Sequence, residues 1–155
     1  MQVYCEIHPY NQIPHLTSSI KGVILSGSPY SVSDIDHPEI ALSLFEGKIP
    51  VLGVCYGAQY IASLNNGHVA KSDKREYGRS FLKLCTESKL FNQVPDLSQV
   101  WMSHGDTITS IPDGYTIIAQ TEDIPVAAFE NTEKQIFAIQ FHPEVTHSTE
   151  GQKIL

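Results

Sequence analysis

Apolar residues run almost unbroken along Gly22-Val23-Ile24-Leu25 and again along Pro50-Val51-Leu52-Gly53-Val54. Strands covered on both faces of a sheet read this way, because neither face calls for an alternating polar residue. Between them Glu39-Ile40-Ala41-Leu42-Ser43-Leu44-Phe45 has helical spacing, and a second helical pattern follows at Tyr60-Ile61-Ala62-Ser63-Leu64. Beyond Asn65-Asn66-Gly67 the pattern shortens and alternates. Strands are predicted at Phe81–Cys85, Val100–Met102, Tyr115–Ala119, Val126–Phe129 and Ile136–Ile139, with turn signals at Pro112-Asp113-Gly114 and Asn131-Thr132-Glu133. A last helical pattern opens at Ser148 and is still running at Leu155. The expected class is α/β with a strand-rich second half. No interval is long enough to be a linker, so residues 1–155 are expected to form one domain.

Composition narrows the partners. The chain is 41% hydrophobic and 17% charged, which carries no mark of disorder. A formal net charge of −7 with only ten Lys and Arg argues against a nucleic-acid or membrane surface, both of which need a basic patch. No apolar run approaches the roughly 20 residues that span a bilayer, and no signal peptide opens the chain. Three widely spaced cysteines, an odd number, predict reduced thiols and a cytoplasmic location.

The chemistry concentrates in two places. In Gly53-Val54-Cys55-Tyr56-Gly57-Ala58-Gln59 a cysteine sits between glycines at a strand end and a helix start. That is the pattern of a nucleophile elbow, where the turn is too tight for neighbouring Cβ atoms. A helix N-terminus favours a thiolate, and such settings lower a cysteine pKa from about 8.5 toward roughly 3.5–7.5. Cys55 is therefore the candidate nucleophile, whereas Cys5 and Cys85 lack the setting and read as structural thiols. The second place is Phe141-His142-Pro143-Glu144, after the apolar Ile136–Ile139. Residues two apart on an extended segment point the same way, so Glu144 can hold the His142 imidazole, and Pro143 favours that extended backbone. Cys55, His142 and Glu144 complete a triad by type. A metal reading of His142, Glu144 and His147 is the alternative, although no His-Glu-x-x-His helix accompanies it.

Together these residues resemble the class I, or triad-type, glutamine amidotransferases. Lys74-Arg75-Glu76-Tyr77-Gly78, Trp101-Met102-Ser103-His104-Gly105-Asp106 and Val145-Thr146-His147-Ser148-Thr149-Glu150-Gly151 resemble, more narrowly, the glutaminase part of GMP synthases. The resemblance runs from Val3 to Leu155. It implies a flavodoxin-like three-layer sandwich around a mostly parallel sheet. It also implies that Cys55 attacks the glutamine side-chain amide, that His142 relays a proton to the leaving ammonia, and that water frees glutamate from a thioester. Backbone N–H groups of Tyr56 and Ser28 would hold the oxyanion; Gln59 and the main chain at Ser103, His104 and Gly105 would hold the substrate. No cofactor or metal is expected on this domain. ATP and Mg would belong to a synthetase (ATP-pyrophosphatase) part that converts xanthosine monophosphate to GMP, and Lys74-Arg75-Glu76, otherwise a solvated charge run, would face that part.

Three departures from the family pattern carry expectations. Ser26-Gly27-Ser28-Pro29 replaces the usual Ser-Gly-Gly-Pro, which raises the question of a left-handed backbone at Ser28, costly for a non-glycine residue. The family's opening strand and helix, with an Asp-Phe-Gly-Ser-Gln-Tyr segment, have no counterpart before Val3-Tyr4-Cys5-Glu6-Ile7, so an N-terminally shortened domain is expected, with an uncovered sheet edge that a homodimer could cover. Eleven residues follow Glu144, too few for an ATP-binding domain. Alternatives that keep the same residues are a glutaminase of another synthase, a γ-glutamyl hydrolase, and a non-catalytic docking domain. Asp106 has its own bland reading, as the cap of a helix.

Overall fold

The computed structural model describes residues 3–155, the side chains of 73–76 excepted. The expected docking segment Lys74-Arg75-Glu76 thus lies outside the described side chains. Among the described residues seven strands, Val23–Leu25 (β1), Val51–Val54 (β2), His68–Leu84 (β3), Ser98–Ser110 (β4), Thr116–Gln120 (β5), Ala128–Asn131 (β6) and Ile136–Ile139 (β7), form one sheet in the order β1-β2-β7-β6-β5-β3-β4. The helices Tyr56–Leu64 (α1) and Gly151–Ile154 (α2) accompany it. Among the described residues no helix is long and apolar enough to cross a membrane.

The α/β class holds, but the expected mostly parallel sheet is mixed. Only β1, β2 and β7 run parallel; the pairs β7–β6, β6–β5, β5–β3 and β3–β4 are antiparallel. Parallel neighbours need a crossover: β1 reaches β2 through the segment that holds the turn at Leu42–Leu44, and β2 reaches β7 only after α1 and β3 to β6, whereas short turns such as the one before β7 allow only reversal. The sheet divides two cores. On one side Val51, Ile136, Ala138 and Phe129 pack with Ala58, Ile61 and Ala62 of α1; on the other Val54, Ile139 and Ala128 pack with Leu82, Val100, Met102, Phe141 and Ile154. This alternation along β2 and β7 is why their sequences read as continuous apolar runs. β1 is the outer strand on the parallel side, and its Ile24 is 53% exposed. Residues 3–9 form no strand, and Val3, Tyr4 and Ile7 are exposed.

Other elements depart from expectation for local reasons. The helix expected over Glu39–Phe45 is a single 3-10 turn, Leu42–Leu44. Its upstream carbonyls are taken by side chains instead of by helical N–H groups: Tyr56 Oη donates to the Pro38 carbonyl (2.5 Å) and Tyr60 Oη to that of Ile40 (2.8 Å). Asp106 caps no helix; it lies inside β4. The long β3–β4 ribbon exceeds the predicted Phe81–Cys85 and Val100–Met102 because its buried face continues through Ser98 and His104, polar residues that break the apolar alternation.

Candidate active site

The backbone between β2 and α1 is strained where Cys55 sits. Its φ of 52° and ψ of −106° lie outside the regions an L-residue favours, at a cost of roughly 1–3 kcal/mol. Neighbouring bonds hold it there: the Cys55 N–H donates to the Ile139 carbonyl (2.8 Å), and the Cys55 carbonyl accepts from Gln59 (3.1 Å). The flanking glycines let α1 descend onto the sheet. A Cβ on Gly53 would stand 2.7 Å from the Gly57 carbonyl, and one on Gly57 would fall on the carbonyl of Leu25 in β1. Cys55 therefore meets the first turn of α1, where N–H groups lack intrahelical acceptors.

His142 comes to the same place from β7. Its Nδ1 is 2.7 Å from Glu144 Oε1, which leaves Nε2 as the nitrogen for Cys55. A hydrogen bond with Cys55, and after it the one with Glu144, push the His142 imidazole up to about 9, against partial burial that pushes it down. At neutral pH His142 accordingly carries a proton. The histidine's main chain is clamped: its N–H donates to the Trp101 carbonyl (3.0 Å), and its own carbonyl accepts from Ser148 Oγ (2.5 Å), which in turn accepts from the Trp101 N–H (3.1 Å). His147, the third member of the metal alternative, instead has its ring 4.6 Å from that of Trp101. Among the described residues no group of three or more His, Cys, Asp or Glu could hold a metal ion.

Two further segments close in. A Cβ on Gly27 would lie 3.3 Å from His142 Cε1 and 3.7 Å from Cys55 Cβ, so the Ser26-Gly27-Ser28 loop borders the triad. Ser28 does not take the left-handed backbone in question; among the described residues, those other than glycine with positive φ are Cys55, Asn66, Gln93, Leu97 and Gln135. From β4, the Ser103 carbonyl lies 3.7 Å from Cys55 Sγ. His104 is buried, which pushes its imidazole down, and its Nδ1 is 2.8 Å from the Asp106 carbonyl.

Comparison with known proteins decides the family. A model of the class-I glutamine amidotransferases matches residues 1–155. The chain belongs to the class I glutamine amidotransferases. It is 53% identical to a protein of Cytophaga hutchinsonii and 51% identical to one of Bacteroides thetaiotaomicron, both named GMP synthase [glutamine-hydrolyzing]; in each case all of the chain aligns, with 31% of the relative. The chain thus spans about a third of the length of these curated relatives. Among solved structures, a protein from Thermoplasma acidophilum described as a putative GMP synthase component superimposes with a TM-score of 0.73 at 32% identity, covering 88% of this chain and 70% of that one. A glutamine amidotransferase from Thermotoga maritima gives 0.74 at 25% identity, covering 88% and 62%.

Within the amidotransferase, the candidate residues Cys55, His142 and Glu144 come together, with Gly27 and the Ser103 carbonyl beside them; Ser28 follows Gly27 in the chain, and Tyr56 is the first residue of α1. Gln59 is different. It is only 3% exposed, and its Nε2 donates to the Asp106 carbonyl (2.9 Å) and toward Gln140 Oε1 (3.4 Å). Gln140, which no motif marked, and Ser148, which read only as part of a longer segment and the start of a helical pattern, are both buried and both bonded to the triad's surroundings. The signal for Gln140 was a polar residue within the otherwise apolar Ala138–Phe141, just before His142.

Proposed function

We propose that this amidotransferase is the glutaminase of a GMP synthase, releasing ammonia from glutamine through Cys55, His142 and Glu144. The observation that carries the reading is His142, bonded on one side to Glu144 and on the other to Cys55. The Cys55 thiolate attacks the side-chain amide carbon of glutamine. The amide oxygen takes up the negative charge, facing the backbone N–H groups of Tyr56 and Ser28; removing one such donor typically costs about 100-fold to 1000-fold. His142 gives its proton to the nitrogen, the C–N bond breaks, and ammonia leaves a γ-glutamyl thioester. Water then attacks that thioester while His142 takes its proton, and glutamate departs as the thiolate is restored. Glu144 keeps the imidazole oriented through both halves.

The narrower assignment rests on the identity of about 50% with GMP synthases along the whole chain. In that setting the ammonia passes to a synthetase part, which holds ATP and Mg and aminates xanthosine monophosphate. The test is ammonia release from glutamine by the chain alone, and with a synthetase part supplied with ATP, Mg and xanthosine monophosphate. Release that rises with the partner and disappears in Cys55→Ala supports the reading. Release that ignores the partner reduces it to a free-standing glutaminase, and release that survives Cys55→Ala overturns it.

A further inference from the structure

Gln140 is fully buried, and its amide lies between two residues of the elbow. Its Nε2 is 3.9 Å from Cys55 Sγ, and its Oε1 is 3.4 Å from Gln59 Nε2. Gln59 Nε2 is in turn 2.9 Å from the main-chain carbonyl of Asp106. Three separate elements, β4, α1 and the segment after β7, thus contribute to one line of contacts that ends on the sulfur.

The polarity of that line has only one solution. A main-chain carbonyl can only accept, so the NH2 end of Gln59 must face Asp106. The second N–H on that nitrogen then points to Gln140, which must present its carbonyl oxygen. With its oxygen engaged, the Gln140 amide has only its NH2 end to offer Cys55. A carbonyl that cannot donate, two residues past buried His104, thereby dictates through two side-chain amides that the sulfur meets a hydrogen-bond donor. In a buried network such bonds polarise one another, and a donor favours the sulfur as an anion over the protonated thiol.

We propose that Gln140 is a positioning residue for the nucleophile: it ends a polarised relay, Asp106 carbonyl to Gln59 to Gln140, that holds an N–H on Cys55 Sγ. This rests on the reading of Cys55 as the nucleophile. Gln140 acts opposite in sense to the Ser103 carbonyl, which can only accept from a thiol. The titratable groups in contact with the sulfur or with this line are His142, with Glu144 behind it, and, from β4, His104, whose Nδ1 shares the Asp106 carbonyl with Gln59.

The test is alkylation of Cys55 by iodoacetamide in the full chain, from about pH 5 to pH 9, where thiolate fraction governs the rate. Peptide mass spectrometry resolves the three cysteines, so exposed Cys5 and Cys85 serve as references in the same sample. Gln140→Met keeps the length and removes donor and acceptor; Gln140→Glu keeps an acceptor for Gln59 and removes the donor. Both variants are expected to slow Cys55 alkylation at neutral pH by about tenfold and to move its acid limb to higher pH, Gln140→Glu further, while Cys5 and Cys85 stay unchanged. With glutamine, kcat is expected to fall while KM stays within about threefold. A Gln140→Met protein that alkylates at the wild-type rate across the range overturns the proposal and leaves Gln140 a packing residue. Should the variants not fold, the wild-type Gln140 side-chain amide, followed by 15N NMR, must shift when Cys55 is S-methylated; an unmoved resonance overturns the relay. Alkylation needs no turnover. A protein with a relay-dependent Cys55 but no ammonia release would retain this inference and lose the functional reading.

Discussion

The two halves of the sheet use backbone differently. On the parallel side, β1, β2 and β7 are three or four residues long, and the chemistry lies just past their carboxyl ends: the Ser26-Gly27-Ser28 loop after β1, Cys55 after β2 and His142 after β7. The β3–β4 ribbon has strands of 17 and 13 residues and contributes mainly main-chain groups, the carbonyls of Trp101, Ser103 and Asp106 and the N–H of Trp101. Short parallel strands bring reactive side chains to one edge; the long ribbon supplies fixed donors and acceptors that hold them there. A reactive residue can therefore be replaced only at the cost of chemistry, while a ribbon residue can change freely where its main chain alone is used.

On the parallel side, Cys55→Ala is expected to lower ammonia release by at least about 10,000-fold, with a urea unfolding midpoint close to wild type. Residual glutaminase of more than a few per cent would break the assignment. The pH dependence comes next. His142 is raised from 6.5 to about 9, so its proton is available for the leaving nitrogen at neutral pH, and kcat/KM is expected to fall about tenfold per unit above about pH 9. The same shift makes its interactions stabilising below about pH 6.5, a contribution lost as pH rises through about 9. Because Cys55 is the largest cause of that shift, imidazole NMR should find His142 titrating lower in Cys55→Ala.

Smaller effects compare glycines and clamps across the two halves. Gly57→Ala, whose Cβ would meet the Leu25 carbonyl, is expected to destabilise by about 1–3 kcal/mol in urea titration. Gly105→Ala in the ribbon, with open space around it, should stay within about 0.5 kcal/mol. Equal effects would remove the distinction between the halves. Ser148→Ala removes the hydroxyl between the Trp101 N–H and the His142 carbonyl, and should cost about 1–2 kcal/mol together with part of kcat. An unchanged kcat would mean that the main-chain bond from His142 to Trp101 suffices.

The elbow and the His-Pro-Glu were legible because their requirements are local. Glycine at 53 and 57 around a cysteine, and a proline between histidine and glutamate, state backbone geometry in the residues themselves. The helix expected at Glu39–Phe45 was not legible as a lone turn, because the phenols of Tyr56 and Tyr60, some twenty residues on, claim its carbonyls. Nor was the ribbon, whose buried face includes Ser98 and His104 and so breaks the apolar alternation that marks a strand. Gln59 read as a substrate contact from its place after Cys55; that its Nε2 meets Asp106 and Gln140 is something no spacing reveals.

By itself, then, the sequence determined the α/β class, the family and the three residue types of the site, since apolar runs, glycines and prolines act over a few neighbours. The tertiary structure alone decided the mixed sheet, the clamp on His142 and the amide line reaching Cys55. Those depend on contacts between residues far apart in the chain, 41 positions for His142 and Trp101 and 85 for Cys55 and Gln140, and hydrogen-bond polarity across such distances is set only once the strands have been placed side by side.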